Sequence, residues 1–495
     1  MSDGGRAKVV EFYRGTTVLM TGASGFVGQV LLEKILRCLD VSKVYLVIRA
    51  KKNLSGEARL ERILSSPLFD GVRNDATMLN ELRRKVVPVE LCLDSGFHFV
   101  DEDLKCALQA QVEVVFNLLA SVNFKEPLDC ALKTNVDRTD QLLGLVDGMK
   151  RLKSVVHVST FYSNCDKSFI GECIYDDIDF GGYENIMNIM SHLSEPEKSI
   201  VTENIVKNFP NNYTFSKKCA EVMIRDKYQN LPIGIFRPPI VTSTYREPVP
   251  GWIDNFNGPS GMVVPLSEGL YSVAFVDGRK RPFIVPVDYC VNALITCAMD
   301  VYANRRTRKG IPVYNYVNTG SNPTWGTIIG RFCEGLSPAK RFMATYLTAT
   351  ITRNPLRYAI CKRIMLLQGH LLDLARRISG KRPILGPMFE KMINLSEVLQ
   401  FFCINEWRTE NGNIQRMRAE QSSTERDIFP FDLAEVDWDE YYRNFVPGVM
   451  KYAIEPRKAR DVRRQDSENW IFLVFNFVFL TLVNFIKLLF GQKRN

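Results

Sequence analysis

Thr21-Gly22-Ala23-Ser24-Gly25-Phe26-Val27-Gly28 is the stretch that decides the fold. Three glycines at this spacing lie between a short strand signal, Thr16 to Met20, and a run of helical periodicity, Phe26 to Leu39. Gly22 permits a tight turn, Gly25 lets the backbone approach a pyrophosphate, and Gly28 allows helix and strand to pack closely. The helix N-terminus adds N–H groups and a partial positive charge. Thr21, Ser24, Phe26 and Val27 are read with the glycines as a cofactor-binding segment.

Working outward, strand candidates recur at Val44 to Ile48, Val86 to Val89, Val112 to Leu118 and Lys153 to Ser159. Helical stretches separate them. This alternation predicts an α/β fold, a Rossmann-type doubly wound parallel sheet. The second strand runs into Arg49-Ala50-Lys51-Lys52. A site for NAD offers a carboxylate there for the ribose 2′-hydroxyl, and none is present. Arg49 and Lys52 suit a 2′-phosphate, so NADPH is the expected cofactor.

Further along, Tyr213 and Lys217 form a Tyr-x-x-x-Lys pair. Four residues apart, they share one face of a helix. The ammonium can lower the phenol's pKa, ordinarily about 10, and reach a nicotinamide ribose. Between turn and pair, Val155-Val156-His157-Val158-Ser159-Thr160 reads as a strand ending in two hydroxyls. Thr160, or else Ser159, is placed to hydrogen-bond a substrate carbonyl oxygen.

In this order, the three elements resemble the extended short-chain dehydrogenase/reductase superfamily. Several stretches narrow the likeness to the alcohol-forming fatty acyl-CoA reductases: Leu231 to Val241, Pro250 to Gly261 with its Gly-Trp-x-Asp-Asn and Gly-Pro-x-Gly pattern, Val285 to Tyr289, and Asn322 to Trp325. Asn405-Glu406-Trp407 and Asp437-Trp438 are similar to that family's C-terminal region, so the resemblance runs from about Phe12 to about Ile454. It implies reduction of a long-chain acyl-CoA by NADPH to an aldehyde, then to a primary alcohol. Tyr213 protonates the developing oxyanion, Thr160 steadies it, and Lys217 tunes Tyr213 and holds the ribose. It also sets Ala120 beside the cofactor. Three stretches depart from the family pattern. Leu91-Cys92 stands where Gly-Asp is usual, Asn117-Leu118-Leu119-Ala120 where His-x-Ala-Ala is, and Asn135-Val136-Asp137-Arg138-Thr139 where Asn-Val-x-Gly-Thr is. The competing readings are another extended reductase, of sterol or nucleotide-sugar type, and a silent cofactor-binding membrane protein.

At 495 residues, more than one domain is expected. We expect a Rossmann and substrate domain over 12–335, a mainly helical region over 345–455, and a transmembrane helix over 470–490. The last, Trp470 to Phe490, is nearly all apolar, and at about 1.5 Å per residue it spans roughly 30 Å. Lysines and arginines are spread along the chain despite a net charge of +9, which speaks against nucleic acid. One cluster, Arg457 to Arg464, precedes the apolar stretch and points to a membrane surface, with the catalytic domain in the cytosol. The N-terminus has no apolar signal region. Twelve scattered cysteines and four histidines show no ligand spacing, so no metal and a reducing compartment are expected. The endoplasmic reticulum and the peroxisome both accept such anchors.

Overall fold

The computed structural model describes residues 7–49, 55–92, 98–99, 102–267, 272–320, 322–336, 349–378, 380 and 382–456. Trp470 to Phe490, Arg457 to Arg464 and Lys52 lie outside the described residues. Among the described residues, no helix is long and apolar enough to cross a membrane.

Contacts group the chain into two units that interleave in sequence. The first takes Met1–Val249, Phe283–Gly320 and Trp407–Glu435, and the second takes Pro250–Pro282, Ser321–Glu406 and Val436–Asn495. The expected segment 345–455 therefore contributes to both, because Trp407–Glu435 belongs with the first unit.

The first unit is built on an eight-stranded sheet. Its strands are β1 (Thr17–Thr21), β2 (Lys43–Arg49), β3 (Val86–Cys92), β4 (His98–Phe99), β5 (Val114–Asn117), β6 (Ser154–Val158), β7 (Ile233–Arg237) and β8 (Val313–Asn315). In space they run β8-β7-β6-β5-β1-β2-β3-β4. All pairings are parallel except β3 with β4. β1 and β5 are buried along their whole length, as strands covered by helices on both faces must be. That burial explains their continuous Val, Leu and Phe runs. Successive strands step outward from β1 in opposite directions, so the strand order reverses between β1 and β5. The carboxyl ends flanking such a reversal open the crevice where a parallel sheet binds ligands.

Three helices matter for the site: α1 (Phe26–Cys38), α2 (Gly56–Leu64) and α3 (Asn212–Tyr228). Helix α3 is buried from Thr214 to Ile224. Its apolar face, with Phe215, Cys219, Val222 and Met223, joins a core made with β5, β6 and the helix Arg138–Asp147.

In the second unit, the antiparallel hairpin of α4 (Pro355–Ile378) and α5 (Leu385–Ile404) packs on a two-stranded parallel sheet of Ser272–Phe275 and Ala349–Thr352. Val273, Tyr358, Met365, Leu372, Phe389 and Ile393 form its core. Asp373 of α4 reaches across to cap α5, accepting from the N–H groups of Ile384, Leu385 and Gly386 at 2.8–2.9 Å.

Candidate active site

The glycine-rich turn connects β1 to α1. Gly22 has φ +69, and a Cβ there would lie 2.6 Å from the carbonyl oxygen of Leu118. A Cβ on Gly28 would lie 2.3 Å from the Gly22 oxygen. The turn therefore tolerates no side chain at either place. Gly25 is the N-cap of α1, and no side chain caps that helix, which leaves a cradle of backbone N–H groups of the kind a pyrophosphate occupies.

The strand ends around the turn are tied together. Thr21 Oγ1 donates to Asn117 Oδ1 at 2.7 Å and accepts from the Leu119 N–H at 3.0 Å. Asn117 Nδ2 donates to His157 Nδ1 at 3.0 Å. Asn117 thus bridges β1, β5 and β6 and gives a structural reason for one departure from the family pattern. Burial, with the nearby Lys217 charge adding to it, holds His157 well below its ordinary pKa, so it is neutral. Ala120 follows β5 and is half-buried. Ser24 accepts from Arg59 Nη2 of α2 at 3.1 Å, a basic contact to the turn that the sequence did not announce. Arg49 ends β2, where its backbone pairs with Leu91; its side chain is outside the described residues, as is Lys52. Glu90 of β3 accepts from the Gly56 N–H at the start of α2.

Tyr213 lies in the first turn of α3. Asn211 caps that helix by accepting from the Thr214 N–H at 3.0 Å, which fixes where the helix begins. The ring of Phe124 stacks on Tyr213 with centroids 5.6 Å apart. Tyr213 keeps part of its surface open, as an acid that meets a substrate must. Burial of the rest raises its pKa to about 12, against a hydrogen bond to Thr160 that lowers it. Burial sets this direction, which is opposite to the one expected from the Tyr-x-x-x-Lys spacing. The phenol is protonated across the neutral range.

Lys217 is buried, and its ammonium donates to the Val158 carbonyl at the end of β6 at 2.8 Å. Burial lowers its pKa to about 8, while Glu221, one turn along, pulls it upward.

The two hydroxyls after β6 part company. Thr160 reaches Tyr213, and its Oγ1 also accepts from the Tyr162 N–H at 3.3 Å. Ser159 donates instead to the buried Glu221 carboxylate. The structure brings Tyr213, Thr160 and Lys217 together and turns Ser159 away from them.

Glu221 was not singled out from the sequence, yet it organises this side of the site. Arg237 of β7 grips it with two bonds, Nε to Oε1 at 2.9 Å and Nη2 to Oε2 at 2.6 Å. Both side chains are essentially inaccessible. Ser163 donates to Glu221 at 3.0 Å, and the spare Arg237 donors bond the carbonyls of Gly171 and Cys173. Asn135 was missed as a positioning residue too. It sits in a π-helical turn, Lys133–Asp137, donates to Ser216 Oγ at 2.8 Å, and accepts from the Ser121 N–H at 2.9 Å. Ser216 in turn donates to the Tyr213 carbonyl at 3.0 Å. Tyr213-x-x-x-Lys217-x-x-x-Glu221, one face of one helix, was the available signal for Glu221; for Asn135 it was its place at the head of the stretch that resembles Asn-Val-x-Gly-Thr.

A relative from Drosophila melanogaster, fatty acyl-CoA reductase wat, is 34% identical over 449 residues, covering 90% of this chain and 85% of its own. The chain belongs to the fatty acyl-CoA reductase family. Fatty acyl-CoA reductase 1 of Xenopus laevis is 30% identical over 466 residues, covering 90% of this chain and 86% of its own. The NAD-binding part of the male sterility protein family matches residues 20–294, and its Sterile part matches residues 364–455. Among solved structures, the terminal R domain of the myxalamid PKS-NRPS pathway shares the fold with TM-score 0.54 at 17% identity, covering 88% of this chain and 91% of that one. A nicotinamide cofactor and a reductase fold are thereby common ground for this family member. The cradle at Gly22 to Gly28 fits that cofactor by its own geometry.

Proposed function

We propose that this fatty acyl-CoA reductase uses NADPH to reduce a long-chain acyl-CoA to a primary alcohol through a bound aldehyde. The observation that carries this reading is the meeting of Tyr213, Thr160 and Lys217 beside the glycine-rich turn, at the carboxyl edge of the sheet. NADPH held at the glycine-rich turn would supply one hydride per molecule, so the thioester-to-aldehyde and aldehyde-to-alcohol reductions would consume two NADPH in succession. The residues do the rest. Thr160 holds the substrate oxygen by hydrogen bonding, and Tyr213 Oη gives that oxygen its proton. A phenol with a pKa raised to about 12 suits this direction, because it arrives protonated. Lys217 orients the ribose and offsets the charge left on Tyr213. Ser159 acts through Glu221 as a positioning residue.

Arg49 and Lys52 are assigned to the 2′-phosphate of NADPH. Replacing both with Ala should raise KM for NADPH and leave KM for NADH nearly unchanged; an equal rise in both would remove them from that role. We assign Trp470 to Phe490 to a membrane anchor with the catalytic units on the cytosolic side of the endoplasmic reticulum or peroxisome. Protein ending before Trp470 should leave the membrane pellet on a high-salt wash, which the full chain should withstand.

The deciding experiment follows NADPH oxidation by the full chain in detergent with palmitoyl-CoA and longer thioesters, with products identified by mass. Alcohol, formed with twice as much NADPH as thioester, is the expected result. NADPH bound with no thioester turned over would overturn the reading and favour a silent cofactor-binding protein.

A further inference from the structure

Helix α4 is apolar on two opposite faces. Tyr358, Cys361, Met365 and Leu372 point into the core of the second unit. On the other side, Leu356, Ile360, Leu367, Leu374 and Ile378 stand 49–71% exposed. At 3.6 residues per turn, these five fall within about 40° of one another around the axis, in a stripe roughly 33 Å long. Ile384, half exposed at the start of α5, continues it around the turn of the hairpin. An ordinary surface helix is apolar on one face only, so a second apolar stripe needs an apolar neighbour of its own. An exposed patch on the order of several hundred Å² marks an interaction site rather than chance exposure.

Charge decides what kind of neighbour this is. Arg357, Arg363 and Arg377 are exposed on the margins of the stripe. The only carboxylate of α4, Asp373, is buried and spent on capping α5. Lys362 pairs with Glu397 on α5 at 2.5 Å. The outward face of α4 is therefore aliphatic along its centre and cationic at its edges, with no acid. A second copy pairing through this face would bring arginine against arginine, and one stripe is well short of the roughly 800 Å² per partner of a stable interface. Anionic lipid offers acyl chains for the stripe and headgroups for the arginines.

We infer that the outward face of α4 lies in the headgroup region of an anionic membrane, as a contact separate from the Trp470 to Phe490 stretch. It sets the second unit flat on the bilayer, where a long-chain thioester and a fatty alcohol both partition.

The test uses the full chain with Leu367 replaced by an environment-sensitive fluorescent amino acid. A parallel protein carries the probe at Ile200, an exposed position on the helix Glu195–Ile205 of the first unit. Each is mixed with phosphatidylcholine vesicles, with or without phosphatidylserine, that carry a lipid-bound quencher near the headgroups. The expected result is blue-shifted emission at position 367, quenched about twofold or more on phosphatidylserine vesicles, with position 200 unaffected. Arg363→Gln combined with Arg377→Gln should remove the preference for phosphatidylserine. Water-like emission at 367 on vesicles would overturn the proposal, and a protein that still pellets with them would leave the C-terminal anchor standing. A blue shift without lipid quenching would overturn it in favour of a protein neighbour, and equal quenching at 200 would reduce it to non-specific adsorption.

Discussion

The two sides of the crevice are held by different physics. On the β1 side, the turn from Gly22 to Gly28 is shaped by what is missing: no Cβ, no capping side chain, only backbone in close approach. On the β6 and β7 side, Tyr213 and Lys217 ride on a helix fixed by a buried carboxylate, Glu221, and a buried guanidinium, Arg237. A backbone requirement of the first kind cannot be met by another residue type. A buried ion pair of the second kind can be replaced only as a pair, because a lone charge in the interior is far costlier than either the pair or none. The first side should therefore fail in cofactor binding when altered, and the second in stability.

Single substitutions should separate the two. The largest effect is expected on the charged side. Glu221→Gln leaves Arg237 without its counter-charge and should lower stability by about 3–5 kcal/mol, read in thermal or denaturant melts. A loss under about 1 kcal/mol would mean that the pair is not what fixes α3. Gly28→Val is next. It drives side-chain atoms into the Gly22 carbonyl and should weaken nicotinamide cofactor binding by about tenfold or more, with a smaller change in melting than Glu221→Gln. Unchanged cofactor affinity would break the contrast. The neighbouring hydroxyls sharpen it within one loop. Thr160→Val should cut kcat/KM by about tenfold or more with nearly normal melting. Ser159→Ala should cost about 1–2 kcal/mol of stability with a smaller effect on rate, because it strips a donor from a buried carboxylate. The reverse assignment would place Ser159, and not Thr160, at the substrate oxygen.

The same contrast explains what could be read from the sequence. The glycine turn was legible because a backbone constraint is written as residue identity at fixed spacing. The strands β1 and β5 were legible because burial on both faces demands unbroken apolar runs, and β2, β3 and β6 because valines recur along them. β8, only Val313–Asn315, is too short to show a period. The Tyr213 and Lys217 pairing was legible since four residues make one helical neighbour. Its electrostatics were not: the sign of the Tyr213 shift depends on burial, and no spacing encodes that. Glu221 and Arg237 lie 16 residues apart on different elements, and the packing of α3 against the ends of β6 and β7 brings them together. The choice between Ser159 and Thr160 stayed open because adjacent residues leaving a strand point to opposite sides, and which side holds the carboxylate is a tertiary fact.

Lys217 stands between the two sides and should give the smallest effect. Burial lowers its pKa from the ordinary 10.5 to about 8. The folded chain therefore loses this proton near pH 8, and the unfolded chain keeps it until about pH 10.5. Between those values the unfolded state binds more protons, so Lys217 makes stability rise with pH; below pH 8 its cost to the fold is carried in full. Catalysis should run the other way. The charged ammonium is the form that orients the ribose and offsets charge on Tyr213, so kcat/KM should fall as pH rises through about 8, by at most about tenfold per pH unit. Tyr213, at about 12, does not titrate in that window. Lys217→Arg keeps a charge at every accessible pH, so its alkaline limb should move out of range even if its rate is lower throughout. Lys217→Met should erase the alkaline gain in stability. A limb that stays near pH 8 in the arginine variant would assign it to another group, and would leave Lys217 as a structural tie to Val158 alone.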